Sequence, residues 1–465
     1  MTETLPDTYY MQASVRVQDW AAIVDFRPQA YHAPIDLGEL HHILGGVLRQ
    51  GMGGGALRIL GGMHSCSTIF ESGFVIDTSQ LPLEFTVAPK AAADGSVRVV
   101  ASAFMHVHDF LARAAEHGLS LTSLGGTDAQ TLAGLISTNT SGATVRYTVY
   151  ETLAWVEFLT VAADGKSIKT RHVARGDPEF PGMIASLGAI GMLTRVAFDL
   201  VPQRFFNAGM ELRSLTETLG DLDATNAQYD FWRIEWLPDN DDVGNFWWAT
   251  RAPDNGDPNG DYPPDQVESL LRQVIQFDDS AFKGGPLLDP MLKAAYGMMI
   301  AAYQPVTASG PMRTMIPIDR LAPIKVAMAE WSFAPTDLQR VMDCCRTYFR
   351  ASGFPNLSTE IQCSLKDDYW MSPWNWPDVP QSYIVKLNFQ YISDSLSADE
   401  KVQMVAHLKG LWDALVDAGI TFKAHWGKLN FLDAANVAQN YQTAPFMPLV
   451  KPLFLNDYLR ARLPL

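Results

Sequence analysis

Residues 58–67 read Arg58-Ile59-Leu60-Gly61-Gly62-Met63-His64-Ser65-Cys66-Ser67, a short apolar run that leads into two glycines, a histidine and small or hydroxyl-bearing residues. The apolar run predicts a buried strand. Glycines after a strand let the backbone approach a ligand closely, and the N–H groups of such a turn suit a pyrophosphate. The Lys-Ser/Thr ending of a P-loop and the G-x-G-x-x-G spacing are both missing. On this stretch alone, a tight turn with one surface histidine is the simpler interpretation.

The bulk composition limits the kinds of partner that the protein can have. The chain has 465 residues, a length that predicts about two or three domains. A hydrophobic fraction of 47% and a charged fraction of 18% are typical of an ordinary soluble globular protein. The formal net charge of −16 argues against nucleic acid or an anionic membrane as a partner, because both require clustered Lys and Arg.

The cysteines and the apolar runs bear on metal binding and location. Cys66, Cys344, Cys345 and Cys363 contain no C-x-x-C pair and have no zinc-ligand spacing. We therefore expect no metal, and reduced thiols in a cytoplasmic protein. The first residues lack the basic and apolar regions of a signal peptide. The apolar run Ala294–Tyr303 is shorter than the ~20 residues of a membrane span, so none is expected.

Two later segments share the small-residue character of residues 58–67. Residues 130–142 are dense in Gly, Ser and Thr, which suits a backbone packed against a flat or phosphorylated ligand. A Ser/Thr/Gly-rich loop is the common alternative. Residues 185–196 carry the run Leu187-Gly188-Ala189-Ile190-Gly191, followed by two apolar residues and Thr194. Three such segments in order along the chain are a stronger signal than any one of them.

The three segments together resemble the vanillyl-alcohol oxidase / p-cresol methylhydroxylase family of flavoproteins, in particular its sugar-lactone and alditol oxidase branch. Residues 61–65 are similar to the family's Gly-x-Gly-His-Ser segment, whose histidine is bonded to the 8α-methyl of FAD, so the resemblance implies covalent FAD on His64. Ser141 departs from the family, which usually carries His there. The cofactor-binding residues implied by the resemblance are Gly61, Gly62, Met63, His64, Ser65, Ser137, Thr138, Ser141, Gly142, Gly188, Ile190 and Gly191.

The resemblance implies an α+β, two-domain FAD-binding fold of the p-cresol methylhydroxylase type. Residues 1–202 form the expected FAD-binding domain, to which the C-terminal tail 434–465 returns, and residues 203–433 form an α+β substrate cap. The composition agrees, because aromatic residues become dense after about Gln203. Strands are predicted at 57–60, 73–77, 97–101, 153–162, 324–333 and 383–391, helices at 37–44, 107–117, 267–277, 337–352 and 398–418, and a flexible break at 51–55.

Polar residues alternate on two predicted strands of the cap. Glu360 and Gln362 share one strand face, and Asn388 and Gln390 share another. These four side chains are candidates for one wall of a polar pocket. An edge strand with solvated polar residues is the alternative that periodicity alone favours.

The same strands and the segment His425-Trp426-Gly427-Lys428 resemble the substrate site of alditol oxidases, where a lysine lies by the flavin. Glu360 and Lys428 match that pattern, whereas Gln362, Asn388 and Gln390 stand where the family has Arg, His and Thr. The resemblance implies Lys428, Glu360 and Gln362 as catalytic residues and Asn388, Gln390 and His425 as substrate-binding residues. A lysine there stabilises reduced, anionic flavin. In a dry pocket we also expect it to titrate low enough to share in proton transfer. The alternative is a lysine paired with a surface carboxylate, as most are.

The activity that the resemblance implies is FAD-dependent oxidation of a carbinol in a sugar, polyol or aldonolactone, with hydride transfer to flavin N5 and reoxidation by O₂. One alternative is a dehydrogenase that passes electrons to a carrier instead of O₂. Another is a flavin- or sugar-binding relative without turnover, which the loss of the family Arg and His keeps open. The sequence names neither the substrate nor the oligomeric state.

Overall fold

A computed structural model gives the fold. The described residues are 15–50, 56–236, 242–253, 256–262, 288–316, 325–353, 357–393 and 396–465. The predicted flexible break at 51–55 and the predicted helix at 267–277 lie outside these ranges. Within them, no helix combines the length and the apolar character that crossing a membrane requires.

The regular elements alternate along the whole described chain. The strands are β1 (Val17–Gln18), β2 (Asp25–Phe26), β3 (Ala30–His32), β4 (Leu57–Leu60), β5 (Phe74–Asp77), β6 (Phe85–Val87), β7 (Val97–Ser102), β8 (Leu119–Ser120), β9 (Leu153–Val161), β10 (Ile168–Ala174), β11 (Met192–Pro202), β12 (Phe205–Ser214), β13 (Phe231–Trp236), β14 (Val243–Arg251), β15 (Val306–Pro311), β16 (Val326–Phe333), β17 (Ser358–Leu365), β18 (Tyr383–Ile392) and β19 (Phe422–Ala424). The α-helices are Leu37–Gln50, Val107–Glu116, Leu132–Thr138, Leu215–Gly220, Leu222–Gln228, Leu288–Ala302, Met312–Met315, Leu338–Ser352, Ala398–Asp417, Ala434–Asn440, Thr443–Phe446 and Asp457–Arg460.

Three sheets organise these elements. A three-stranded parallel sheet has the order β3-β5-β4, and the helix Leu37–Gln50 provides the crossover that parallel strands need. A six-stranded antiparallel sheet has the order β10-β9-β11-β7-β6, with β8 paired to β11. An eight-stranded antiparallel sheet has the order β15-β12-β14-β13-β17-β18-β16-β19. The predicted α+β fold is confirmed.

The strongly patterned segments form the elements that their spacing predicts. The predicted helix at 107–117 ends at Glu116 and is followed by Gly118 at φ +65°, the left-handed conformation that terminates many helices. The helix Ala398–Asp417 begins with a capping box of Ser397 and Glu400. In both cases a residue at the helix end, through its backbone conformation or its side chain, fixes that end, which is why the sequence located it well.

Residues 130–142 are a helix and its flanks rather than a loop. The helix Leu132–Thr138 begins at Thr131, whose side chain accepts a hydrogen bond from Gly134 N, and ends at Asn139 with φ +56°. Leu132, Leu135 and Ile136 are buried at the i, i+3, i+4 spacing of an amphipathic helix. The Gly, Ser and Thr content favours a loop, because these residues have low helix propensity. Burial of the apolar face in the folded protein outweighs that low propensity and stabilises the helix.

The chain division at residue 202 stays a prediction, which the distribution of strands supports. Every described strand of the eight-stranded sheet lies between Phe205 and Ala424. The C-terminal tail contacts the N-terminal part of the chain, where the Asn456 side-chain amide donates to Thr68 O at 3.1 Å and Glu71 O at 2.9 Å. Lys451 N donates to Ala189 O at 2.9 Å.

Candidate active site

A cavity of about 350 Å³ lies between the small-residue segments and one face of the eight-stranded sheet. Residues 58–66, 124–143 and 187–193 contribute to one wall, which we call the segment wall. Of the predicted cofactor residues, Gly61, Gly62, Met63, His64, Ser65, Ser137, Thr138, Ser141, Gly142, Gly188 and Gly191 line the cavity. Ile190 is buried behind this wall, where its carbonyl accepts a hydrogen bond from the Thr160 hydroxyl.

The glycines at 61 and 62 allow two parts of the segment wall to pack closely. A Cβ on Gly62 would collide with the carbonyl oxygen of Ala129, and one on Gly61 would lie 2.6 Å from Thr131 Oγ1. Met63 follows at φ +51°, a conformation that residues other than glycine adopt at a cost. Close packing against the neighbouring segment therefore requires glycine at position 62, where the contact is with backbone.

The segment 185–191 completes the segment wall by packing against the end of the helix Leu132–Thr138. Ala185 and Leu187 have φ values of +57° and +59°, and Leu187 N donates to Ser137 O at 2.9 Å. A Cβ on Gly191 would collide with the carbonyl oxygen of Leu159. The three segments that the sequence analysis linked are therefore held together by direct backbone contacts.

His64 lies on the cavity wall with its ring stacked on Trp20, at a centroid distance of 5.3 Å and an interplanar angle of 22°. Burial, with a smaller contribution from the nearby His106, lowers the pKa of His64 to about 4. The imidazole is therefore neutral at pH 7 and keeps a lone pair on one ring nitrogen. A neutral imidazole is the form that can bond to an electrophilic carbon.

Arg58 is a buried cation on the segment wall. Its guanidinium donates to Leu187 O at 2.7 Å and to Phe454 O at 2.8 Å, while Nε has no hydrogen-bond partner among the described residues. Burial lowers the pKa of Arg58 to about 10, so the group stays charged at pH 7. No ion pair joins it to a carboxylate in the described parts of the chain, so an anionic ligand would compensate a charge that carbonyls only solvate. This residue set fits FAD, which carries a pyrophosphate.

The opposite wall is one face of the eight-stranded sheet, which we call the sheet wall. One row of neighbouring residues crosses it: Met210 on β12, Trp247 on β14, Arg233 on β13, Gln362 on β17 and Lys386 on β18. The next row on the same face holds Glu235, Glu360, Asn388 and Glu330. Because β17 and β18 are interior strands, the alternative of a solvated edge strand is wrong.

The predicted polar residues of the cap line the same cavity. Glu360, Gln362, Asn388, Gln390, His425 and Lys428 all belong to its wall. The two Glu360 carboxylate oxygens have different partners, since Oε1 pairs with Arg233 and Oε2 accepts from Asn388 Nδ2 at 2.8 Å. Lys428 Nζ lies 3.4 Å from Asn388 Oδ1 and donates to Glu330 Oε2 at 2.5 Å. The sheet wall is therefore a connected chain of charged and amide groups.

Lys428 pairs with a buried carboxylate rather than with a surface one. Burial opposes the charge on Lys428, but Glu330 outweighs that effect and raises the pKa of the lysine. Burial also opposes the charge on Glu330, yet Lys428 and Lys386 together lower the pKa of Glu330 well below its usual range. The expectation that Lys428 titrates low is wrong, because the charge and hydrogen bond of Glu330, together with Glu360, stabilise the ammonium more than burial destabilises it.

His425 lies beside this pair as a neutral ring. Burial lowers the pKa of His425 to about 3, and its Nδ1 accepts from Gly427 N at 3.2 Å. Its backbone N–H donates to Glu330 O at 2.9 Å, which ties the segment 425–428 to β16. The short segment thereby positions Lys428 against Glu330.

Sequence reasoning missed Glu330, Arg233 and Lys386. Lys386 is fully buried, with Nζ 2.9 Å from Ser141 Oγ, 3.6 Å from Glu330 Oε1 and 4.9 Å from the centroid of the Trp374 ring. All three lie in strands in which most residues are apolar, such as Phe231-Trp232-Arg233-Ile234-Glu235-Trp236. A charged residue inside such a strand was the available signal, because burying a charge requires a partner.

Comparison with known proteins bears on the fold and the cofactor. Residues 25–171 match the family described as FAD binding domain. L-gulonolactone oxidase of Mus musculus is 25% identical over 230 residues, which are 49% of this chain and 50% of that protein, so the match spans about half the length of that relative. Alditol oxidase of Streptomyces sp. is 24% identical over 464 residues, or 96% of this chain and 99% of that protein.

The solved structure of a solvent-stable cholesterol oxidase has the same fold. It superposes with a TM-score of 0.75 at 16% identity and covers 98% of this chain and 99% of that chain. The matched domain and the sequence relatives identify FAD as the cofactor. The chain therefore contains an FAD-binding domain, and over nearly its whole length it is similar to alditol oxidase.

Proposed function

We propose that the protein is an FAD-dependent oxidase of a carbinol in a neutral sugar, polyol or aldonolactone, with O₂ as the electron acceptor. The observation that carries the proposal is the position of the polar cap residues, which line the same cavity as the segments expected to bind FAD. Relatives that act as L-gulonolactone oxidase and alditol oxidase support the substrate class.

The charges of the sheet wall support a neutral substrate. Arg233 is balanced by Glu360, and Lys428 is balanced by Glu330. A carboxylate or phosphate on the substrate would compete with these carboxylates for the two cations. The amides of Gln362, Asn388 and Gln390 both donate and accept, which suits hydroxyl groups.

When bound, FAD would supply the redox chemistry by accepting a hydride from the carbinol carbon, and the hydroxyl proton would pass to Glu360, the group that accepts its hydrogen bond. The residues of the chain bind and orient the alcohol: Glu360 accepts a hydrogen bond from a substrate hydroxyl, and Lys428 stabilises negative charge that develops across the cavity. We infer that Lys428 acts electrostatically rather than as a base, because Glu330 holds it in the charged form. The segment wall residues listed above would hold the cofactor.

We also propose that FAD is bonded covalently to His64. The support is a neutral imidazole on the cavity wall, fixed by its stacking on Trp20. The rival is a histidine that only lies beside a tightly bound cofactor. Acid precipitation followed by mass spectrometry distinguishes them, because covalent FAD gives a yellow pellet and a correspondingly heavier protein.

A substrate panel tests the proposed activity. Purified protein is mixed with alditols, aldoses and aldonolactones under air, and release of H₂O₂ is measured. Release with at least one member supports an oxidase. Anaerobic bleaching of the flavin without H₂O₂ release under air would indicate a dehydrogenase, and a flavin that no member reduces would contradict the proposed function.

A further inference from the structure

We propose that Arg233 is a specificity-determining residue that binds the substrate together with Glu360. The inference rests on the proposed function, and it adds a residue from a strand that sequence reasoning did not associate with the site. Arg233 supplies hydrogen-bond donors and Glu360 the acceptor for two neighbouring hydroxyls of a neutral polyol.

The position of Arg233 in the sheet places it at the substrate side of the cavity. Its guanidinium pairs with the Glu360 carboxylate, and the two side chains retain 22% and 10% of their exposure, respectively. Both line the cavity. A guanidinium presents a planar set of five N–H donors, so it can hold a carboxylate and still donate to a bound hydroxyl.

The strand register relates Arg233 to Gln362. Ile234 pairs with Ile361 and Glu235 with Glu360, so Arg233 stands directly across from Gln362 on the same sheet face. On the other side, Gln362 pairs with Lys386. The order across three strands is therefore cation, amide, cation.

This order explains why position 362 is neutral in this chain. Directly opposed residues on antiparallel strands have Cβ atoms about 5 Å apart, and like charges there destabilise a sheet. A third cation at 362 would have cationic neighbours on both adjacent strands, whereas an amide can donate and accept between them. The cation that contacts Glu360 is therefore Arg233 on β13. A second cation at position 362 is not needed, and Gln362 is uncharged.

The test is an exchange of the two side chains. Arg233→Gln, Gln362→Arg and the double variant are compared with the parent by anaerobic stopped-flow. The dependence of flavin reduction on polyol concentration gives Kd and the limiting rate separately. Thermal stabilisation by the oxidation product gives a binding readout that needs no turnover. Arg98→Gln, which removes an exposed strand arginine paired with Asp199 in the other antiparallel sheet, is the control.

Arg233→Gln is expected to raise Kd about tenfold to a hundredfold, the range for losing a hydrogen bond from a charged group, with a much smaller change in the limiting rate. Gln362→Arg alone is expected to lower Tm, because it sets a third cation between two others. The double variant is expected to recover Tm and most of the affinity, since it restores one guanidinium beside Glu360. Arg98→Gln should leave Kd unchanged.

An unchanged Kd in Arg233→Gln, with a parent that oxidises polyols, would overturn the inference. A lower Tm of Arg233→Gln with an unchanged Kd and limiting rate would show that Arg233 only stabilises the fold through its ion pair, and this outcome would overturn the inference as well. If the proposed function is wrong, the outcome differs, because no polyol then reduces the flavin of the parent protein. In that case the inference about Arg233 is wrong too.

Discussion

The segment wall and the sheet wall of the cavity expose different chemical groups. The segment wall consists largely of Gly, Ser and Thr residues whose backbones touch one another, as Leu187 N does with Ser137 O. The sheet wall consists of long side chains in ion pairs and amide contacts, and its ion pairs include Arg233–Glu360, Lys428–Glu330 and Lys386–Glu330. The segment wall presents mainly backbone groups to the cavity, and the sheet wall presents mainly charged and amide side chains.

The difference predicts how each wall responds to change. A wall made of packed backbone tolerates no added Cβ where segments touch, so substitutions there should reduce cofactor content. A wall made of side chains tolerates changes of shape, so substitutions there should alter rate and substrate choice. Asp367 links the sheet wall to the segment wall. It follows β17 in the chain, and its carboxylate accepts a hydrogen bond at 2.8 Å from the side chain of Asn139, at the end of the helix Leu132–Thr138.

The largest effect is expected for Lys428→Met on the sheet wall. Loss of one preorganised electrostatic contact should slow flavin reduction by about 10²-fold or more. Sulfite affinity, which reports stabilisation of charge at the flavin, should fall in parallel. Glu330 keeps Lys386 at 3.6 Å, so the variant should fold. Lys409→Met, which removes an exposed lysine paired with Asp413, is the matched control. Equal reduction rates in Lys428→Met and the parent would remove Lys428 from the proposed site.

On the segment wall, Gly62→Ala should lower the FAD content of the purified protein. The new Cβ would collide with the Ala129 carbonyl, and overpacking of this kind costs about 1–3 kcal/mol. The ratio of flavin to protein absorbance and the Tm measure the effect. Gly220→Ala, where nothing lies within 4 Å of the added atom, should match the parent in both. Full FAD content in Gly62→Ala would show that the two segments can separate without affecting the cofactor.

His64→Ala tests whether the segment wall also binds FAD through a side chain. FAD should become extractable by acid, and substrate oxidation should slow by less than in Lys428→Met. His108→Ala changes an exposed histidine and should leave the attachment intact. A parent protein whose FAD is already extractable would contradict the covalent bond.

The smallest effect concerns Asp367, between the two walls. Burial raises the pKa of Asp367 to about 7 from 3.8. Between pH 4 and 7 the folded protein therefore holds a proton that the unfolded chain has lost, and the free energy of unfolding falls as pH rises. Because the carboxyl is only partly buried, the slope should stay well below the limit of about 1.4 kcal/mol per pH unit.

Asp367→Asn should flatten this dependence, since the amide does not titrate. Urea unfolding at pH 5 and pH 7 measures it, and Asp368→Asn, at the exposed neighbouring position, should retain the slope of the parent. A parent stability that rises with pH over this window would show that other carboxylates dominate.

Much of the fold follows from local patterns in the sequence. The helix ends at Gly118 and Ser397 and the strands β17 and β18 are encoded by neighbouring residues, so periodicity and capping located them. The helix Leu132–Thr138 was not recognised, because its propensity is low and only burial against the rest of the protein stabilises it. The resemblance to a family supplied the cofactor, which neither composition nor spacing names.

By itself, the sequence determined the α+β architecture, the small-residue segments of the segment wall and the polar faces around Glu360 and Asn388, because each depends on residues close together in the chain. Only the tertiary structure decided the partners of those groups. Arg233, Glu330 and Lys386 come from three different strands, and the order of strands in the sheet brings them to Glu360, Lys428 and Ser141. The charge state of Lys428 depends on such partners, because the charge and hydrogen bond of Glu330, together with Glu360, offset burial. Periodicity does not show which carboxylates will lie there.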